Sequence, residues 1–168
     1  LLKNILIGSD IDSYSIVSSG DVIIYTVRDM DIDDYPNIKS HLMLYHDRLS
    51  NRSESKSGIL PWFSLGRSRY DLLFTEPKII MRQTSDCIRC VYDVDGNYVL
   101  NSILVFKKNT DNFSYKYIAS ALNSRLTDYL YKKLTQEAGR TFAEVKPANV
   151  RKLYIPKAIE KEQQLISV

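Results

Sequence analysis

Long hydrophobic runs are missing from this chain. Its apolar stretches end after a few residues, far short of the roughly 20 that a membrane-spanning helix needs. No signal peptide opens it, so the sequence predicts a soluble, cytoplasmic protein with no membrane partner. Cysteine and histidine are scarce, at two each. Cys87 and Cys90 form a C-x-x-C pair, but the only histidines, His41 and His46, lie far off on a predicted helix. A four-ligand structural zinc site is therefore not expected, and on a strand the two thiols would point to opposite faces. The phosphate-cradling and nucleophile motifs G-x-G-x-x-G, P-loop, G-x-S-x-G and H-E-x-x-H are all absent. No internal repeat is visible, and no resident cofactor is expected in these residues.

What the chain does have is enough material for one core: 168 residues, of which 44% are apolar. Its charge is uneven. Residues 1–58 carry 6 Lys and Arg against 9 Asp and Glu, while residues 59–168 carry 17 against 11, so a net of −3 gives way to a net of +6. The basic excess begins with the most informative stretch, PWFSLGRSRYDLLFTEPKIIMRQTSD, from Pro61 to Asp86. Arg67 and Arg69 follow Gly66 in a predicted loop, and Lys78 and Arg82 bracket the strand-like run Ile79, Ile80, Met81. Guanidinium forks on a rigid support suit phosphates and base edges. Trp62 and Phe63, just before the arginines, are expected to anchor the loop on the core.

The remaining pattern predicts strands near Asn4 to Ile7, Val22 to Val27, Lys78 to Gln83, Ile88 to Tyr92 and Tyr98 to Phe106. Asp95, Gly96 and Asn97 are expected to turn a hairpin between the last two. Pro36 opens a predicted helix of about four turns, with Ile38, Leu42, Tyr45 and Leu49 on one stripe and a polar loop at 51–58 behind it. A longer helix is predicted from about Ser114 to Leu134, with most tyrosines serving structure. TFAEV reads as a short strand, Pro147 as the start of a short helix, and 159–168 as the beginning of another. Strands followed by helices without regular alternation indicate an α+β fold, a mixed, largely antiparallel sheet with two main helices. The chain opens on Leu1-Leu2 and a strand-like LLKNILIG, which predicts a domain at 1–158 belonging to a longer protein.

One catalytic pattern has to be weighed. Asp71 with Glu76-Pro77-Lys78 matches the D…E-x-K arrangement of Mg²⁺-dependent nucleases, in which two carboxylates hold metal and the lysine activates water. The proline inside it and the short spacing favour the plainer reading, a loop glutamate before a strand.

The order of the motifs is more specific than any one of them. GSDIDSY is followed by IIYT, YPNIKSHLMLYHDRLSNR, PWFSL, EPKIIMR, YIASALNSRLTDYLY, VKPANVRKLYIP and a Gln-Gln-x-Ile tail. Together, from about Gly8 to Ile166, these resemble the TaqI-like C-terminal specificity domain, the target recognition domain of adenine-N6 DNA methyltransferases and of restriction enzymes fused to them. The resemblance implies a module that reads double-stranded DNA for a methyltransferase domain in the same or a partner chain. S-adenosylmethionine would serve that parent protein, which could also cleave DNA. The Asn/Asp-Pro-Pro-aromatic tetrad of amino-methyltransferases is absent here, as expected if it lies upstream. The ending is also similar to the segment leading into the spacer helix of type I specificity subunits.

On that reading Arg67, Arg69 and Arg82 are the expected DNA contacts, with Lys78 and Lys56 on the backbone and Arg140 and Lys146 as outer clamps. Two other classes remain: a small nuclease using Asp71, Glu76 and Lys78, or a protein-interaction module that docks a partner on the long helix.

Overall fold

The computed structural model describes residues 1–135 and 143–166. Along the chain run strands β1 (Leu2–Leu6), β2 (Ile11–Asp12), β3 (Ser15–Ile16) and β4 (Val22–Ile24), followed by helices α1 (Pro36–Met43), α2 (His46–Ser50), α3 (Ser53–Lys56) and α4 (Leu72–Thr75). Then come β5 (Lys78–Arg82), β6 (Cys90–Asp93), β7 (Tyr98–Val99) and β8 (Ile103–Phe106), and finally α5 (Tyr115–Leu122), α6 (Arg125–Thr135), α7 (Pro147–Val150) and α8 (Glu160–Ile166). Helices and small, mostly antiparallel sheets make this an α+β fold. The described chain divides into two compact units, one formed by 1–3 and 22–71, the other by 4–21 and 72–168.

The second unit is built around β5. This strand is the middle of an antiparallel sheet ordered β6-β5-β8, with Ile80 opposite Val91 on one side and Val105 on the other. A central strand covered on both faces needs a continuous apolar run, and Ile79, Ile80 and Met81 supply one, each at most 2% exposed. Ile79 and Met81 face Ala119, Leu122 and Tyr131 from α5 and α6, together with Val145 and Val150. Ile80 packs on the opposite side with Leu6, Ile11, Val91 and Ile103. Ile5 and Leu6 of β1 pair in parallel with Tyr98 and Val99 of β7.

That pairing corrects the expected hairpin. Gly96 does adopt a left-handed φ of 73°, as a turn there requires. However, the Asp93 carboxylate accepts the N–H groups of Asp95 and Asn97, and the gathered chain leads into β7 beside β1 rather than back along β6. The helix expected from Ser114 to Leu134 is likewise two helices. Asn123 closes α5 as its C-terminal cap and binds an edge strand with its side chain: its Oδ1 accepts the Cys90 N–H at 3.0 Å and its Nδ2 donates to the Cys90 carbonyl at 2.8 Å. Ser124 then restarts the chain as a cap, its hydroxyl accepting the Thr127 N–H. Ser114 caps α5 in the same manner through Tyr117.

In the first unit, the helix predicted after Pro36 breaks between α1 and α2. Leu44 and Tyr45 bond back only three residues, to His41 and Leu42, which tightens and ends the turn. The segment expected to be a polar loop at 51–58 contains α3. At the other end of the chain, Pro147 opens α7 as predicted, and Gln163 of α8 anchors the start of α5 by accepting the Ser114 N–H.

Candidate nucleic-acid interface

The basic loop of the first unit is held from behind by its own main chain. Arg52, at the entrance to α3, is half-buried and sends its guanidinium into three carbonyls, those of Leu49, Trp62 and Ser64, at 2.7 to 3.0 Å. Thr26 donates its hydroxyl to the Phe63 carbonyl and accepts the Leu65 N–H on its own carbonyl. Trp62 lies edge-on to His46, with ring centroids 4.8 Å apart, and Phe63 lies edge-on to Trp62. Farther along, the buried Tyr25 hydroxyl accepts the Arg69 N–H at 2.6 Å and donates to the Arg69 carbonyl at 2.8 Å. Burial raises the Tyr25 pKa above the ordinary phenol value.

These anchors leave the side chains outside. Arg67, Arg69 and Tyr70 are all exposed, and Lys56 is exposed at the last turn of α3. Arg67 lies within electrostatic reach of Glu54, whose carboxyl falls below its usual range first through the Ser53 hydroxyl and only then through Arg52 and Arg67. Arg67 and Arg69 thus remain available to an outside anion.

In the second unit the expected contacts separate. Lys78 is the clear correction. It is fully buried, paired with the buried Asp93 carboxylate and donating to the Phe74 carbonyl. A side chain sealed in the core reaches no phosphate, and the positive charge read from sequence as a clamp is a structural ion pair. The nuclease reading fails with it, since Glu76 pairs with Lys107 and Lys78 is closed to water. Arg82 sits half-buried at the end of β5, its Nε donating to the Thr84 carbonyl at 2.9 Å. Lys146 is exposed immediately before α7, its main-chain N–H donating to the Tyr131 hydroxyl. Arg140 lies outside the described residues. Arg89 is tied to Asp12 at 2.9 Å.

Among the described residues no group of three or more His, Cys, Asp or Glu is placed to hold a metal ion, and no helix is long and apolar enough to cross a membrane. Both cysteines are free: Cys87 half-buried and Cys90 buried, with burial pushing the Cys90 thiol up to about 12. Iodoacetamide at pH 8 is therefore expected to label one thiol in the native chain and two in urea, counted by intact mass. Peptide mapping that finds Cys90 alkylated under native conditions would contradict the burial.

Three contributors escaped the sequence reading. Arg52 lay in the expected polar loop at 51–58, Tyr25 in a predicted strand, and Tyr70 was one tyrosine among twelve. Only the spacing of Tyr70 from the two arginines hinted at a shared surface.

The basic loop is thus pinned through its backbone with its cationic side chains directed to solvent, an arrangement open to a surface ligand. The model of the TaqI-like C-terminal specificity domain matches residues 3–155, and the chain belongs to that family. It is thus a DNA-recognition module of the restriction-modification type. No curated protein matches the chain.

Proposed function

We propose that the chain supplies target specificity to an adenine-N6 DNA methyltransferase of type II or IIG-like organisation. The methyltransferase domain resides in the same polypeptide or a partner chain, uses S-adenosylmethionine and works in the cytoplasm. The observation that carries the reading is the family match across residues 3–155. The pinned loop gives it a mechanism. Arg67 and Arg69 are exposed forks on a fixed main chain, suited to bidentate hydrogen bonds with a guanine edge in the major groove. Lys56 and Lys146 are exposed point charges suited to phosphate.

The two roles separate in solution. Arg67→Ala or Arg69→Ala is expected to cost about 1–3 kcal/mol on a duplex that the chain selects from a randomised pool, and much less on a scrambled one. Lys56→Ala and Lys146→Ala are expected to weaken both duplexes alike and to flatten the slope of log K against log salt by about 0.9 each. Fluorescence anisotropy between 50 and 200 mM salt reads both effects. A salt-independent affinity in the wild-type chain would overturn the proposal.

A further inference from the structure

Tyr70 is 90% exposed, more than any other large apolar side chain described. A lone aromatic on a slack surface loop carries no message. Tyr70 stands on a loop of another kind. The residue before it, Arg69, has both of its main-chain polar atoms held by a single buried hydroxyl, that of Tyr25. A peptide gripped at N–H and C=O together has little freedom to swing, so the ordering cost of presenting the next side chain is met during folding rather than on binding. The ring it presents is neutral and flat, and it follows two cations, Arg67 and Arg69, that draw in a polyanion.

We infer that Tyr70 is a base-stacking contact to DNA, with Tyr25 as its positioning residue. This rests on the DNA-reading function proposed above and adds a contact of different chemistry to it. Arginine forks read base edges and lysines neutralise phosphates, whereas an aromatic ring takes the face of a base. In a duplex that face is reachable only where a base step opens, so the contact comes with local unstacking.

The experiment uses the 168-residue chain and a duplex that it selects from a randomised pool, with 2-aminopurine placed at successive positions. Tyr70→Ala is expected to bind about tenfold more weakly with an unchanged salt slope, because no phosphate contact is lost. Tyr70→Phe keeps the ring and is expected within twofold of the wild type. Tyr25→Phe keeps the buried ring and removes the hydroxyl that grips Arg69; it is expected to weaken binding severalfold with an unaltered far-UV spectrum. At one position the 2-aminopurine fluorescence rises with the wild-type chain and with Tyr70→Phe, and stays flat with Tyr70→Ala. Tyr70→Ala binding within twofold of the wild type, or producing the same fluorescence rise, overturns the stacking role. Unchanged binding by Tyr25→Phe removes the positioning role. A wild-type chain that enriches no duplex from the pool overturns DNA reading itself, and the stacking contact falls with it. The two failures are thereby distinguished.

Discussion

Lys78→Met is expected to lower the free energy of unfolding by about 3–5 kcal/mol, the cost of stranding one member of a buried ion pair. The ammonium and its partner are both sealed, Lys78 at 0% exposure and Asp93 at 1%. Asp93 does more than balance the charge. Its carboxylate also accepts from the Asp95 N–H, the Asn97 N–H and the Asn97 side-chain amide at 2.9 to 3.2 Å. Removing the lysine leaves that carboxylate buried with neutral partners only. Asp93→Leu is expected to cost a comparable amount, since it strands the ammonium and releases the turn that leads into β7. The double variant Lys78→Met/Asp93→Leu is expected to be less destabilised than the sum of the two singles, because a matched apolar pair removes both charges at once. Urea unfolding of the four proteins closes the cycle. Additive losses would mean that the two groups do not depend on each other, and a Lys78→Met variant of wild-type stability would remove the ion pair from the account.

The second large effect is expected at Tyr131. Its ring is 1% exposed within the cluster that joins β5, α5 and α6, and its hydroxyl lies 3.4 Å from the Glu144 carbonyl and 3.3 Å from the Lys146 N–H. Tyr131→Ala empties an aromatic volume from a packed core and is expected to cost about 3–5 kcal/mol. Tyr131→Phe isolates the hydroxyl. Its two bonds among the described residues are long, so losing them is expected to cost near the lower end of the range for a hydrogen bond, about 0.5 kcal/mol. A larger loss in Tyr131→Phe than in Tyr131→Ala would reverse the assignment. The comparison also bears on binding, because the peptide that Tyr131 holds carries Lys146. Tyr131→Phe is expected to leave the salt dependence of DNA affinity unaltered if the surrounding packing alone keeps Lys146 in place.

The α+β class and the strand at 78–82 were legible because a central strand covered on both faces needs an unbroken apolar run, and Ile79-Ile80-Met81 is such a run. The helix starts at Pro36 and Pro147 were legible because a proline in the first turn is local chemistry. What escaped was decided by partners distant in sequence. Asn123 ends a helix in order to bind Cys90, 33 residues away, and nothing in the surrounding apolar periodicity records that. The same holds for Asp93, which turns the chain correctly at Gly96 and delivers it to an unforeseen neighbour. Lys78 was misread for a related reason: a lysine at a strand edge and a lysine buried against an aspartate 15 residues later have the same local sequence. For the interface, the arginines were visible as residue types. The clamp behind them was not, since Tyr25 lies 44 residues from Arg69.

The manner of that clamping has a consequence for how target preference could diversify. Arg52 grips carbonyls, Thr26 grips a carbonyl and an N–H, and Tyr25 grips one of each. All of these handles belong to atoms that nearly every amino acid possesses. Residues 67 to 70 can therefore exchange their side chains while the path of the chain beneath them persists, provided proline is kept from position 69, where the N–H is in use. On the proposed reading of DNA by Arg67 and Arg69, these side chains are replaceable type set in a lasting frame, and a changed preference is expected from substitutions that leave the frame untouched.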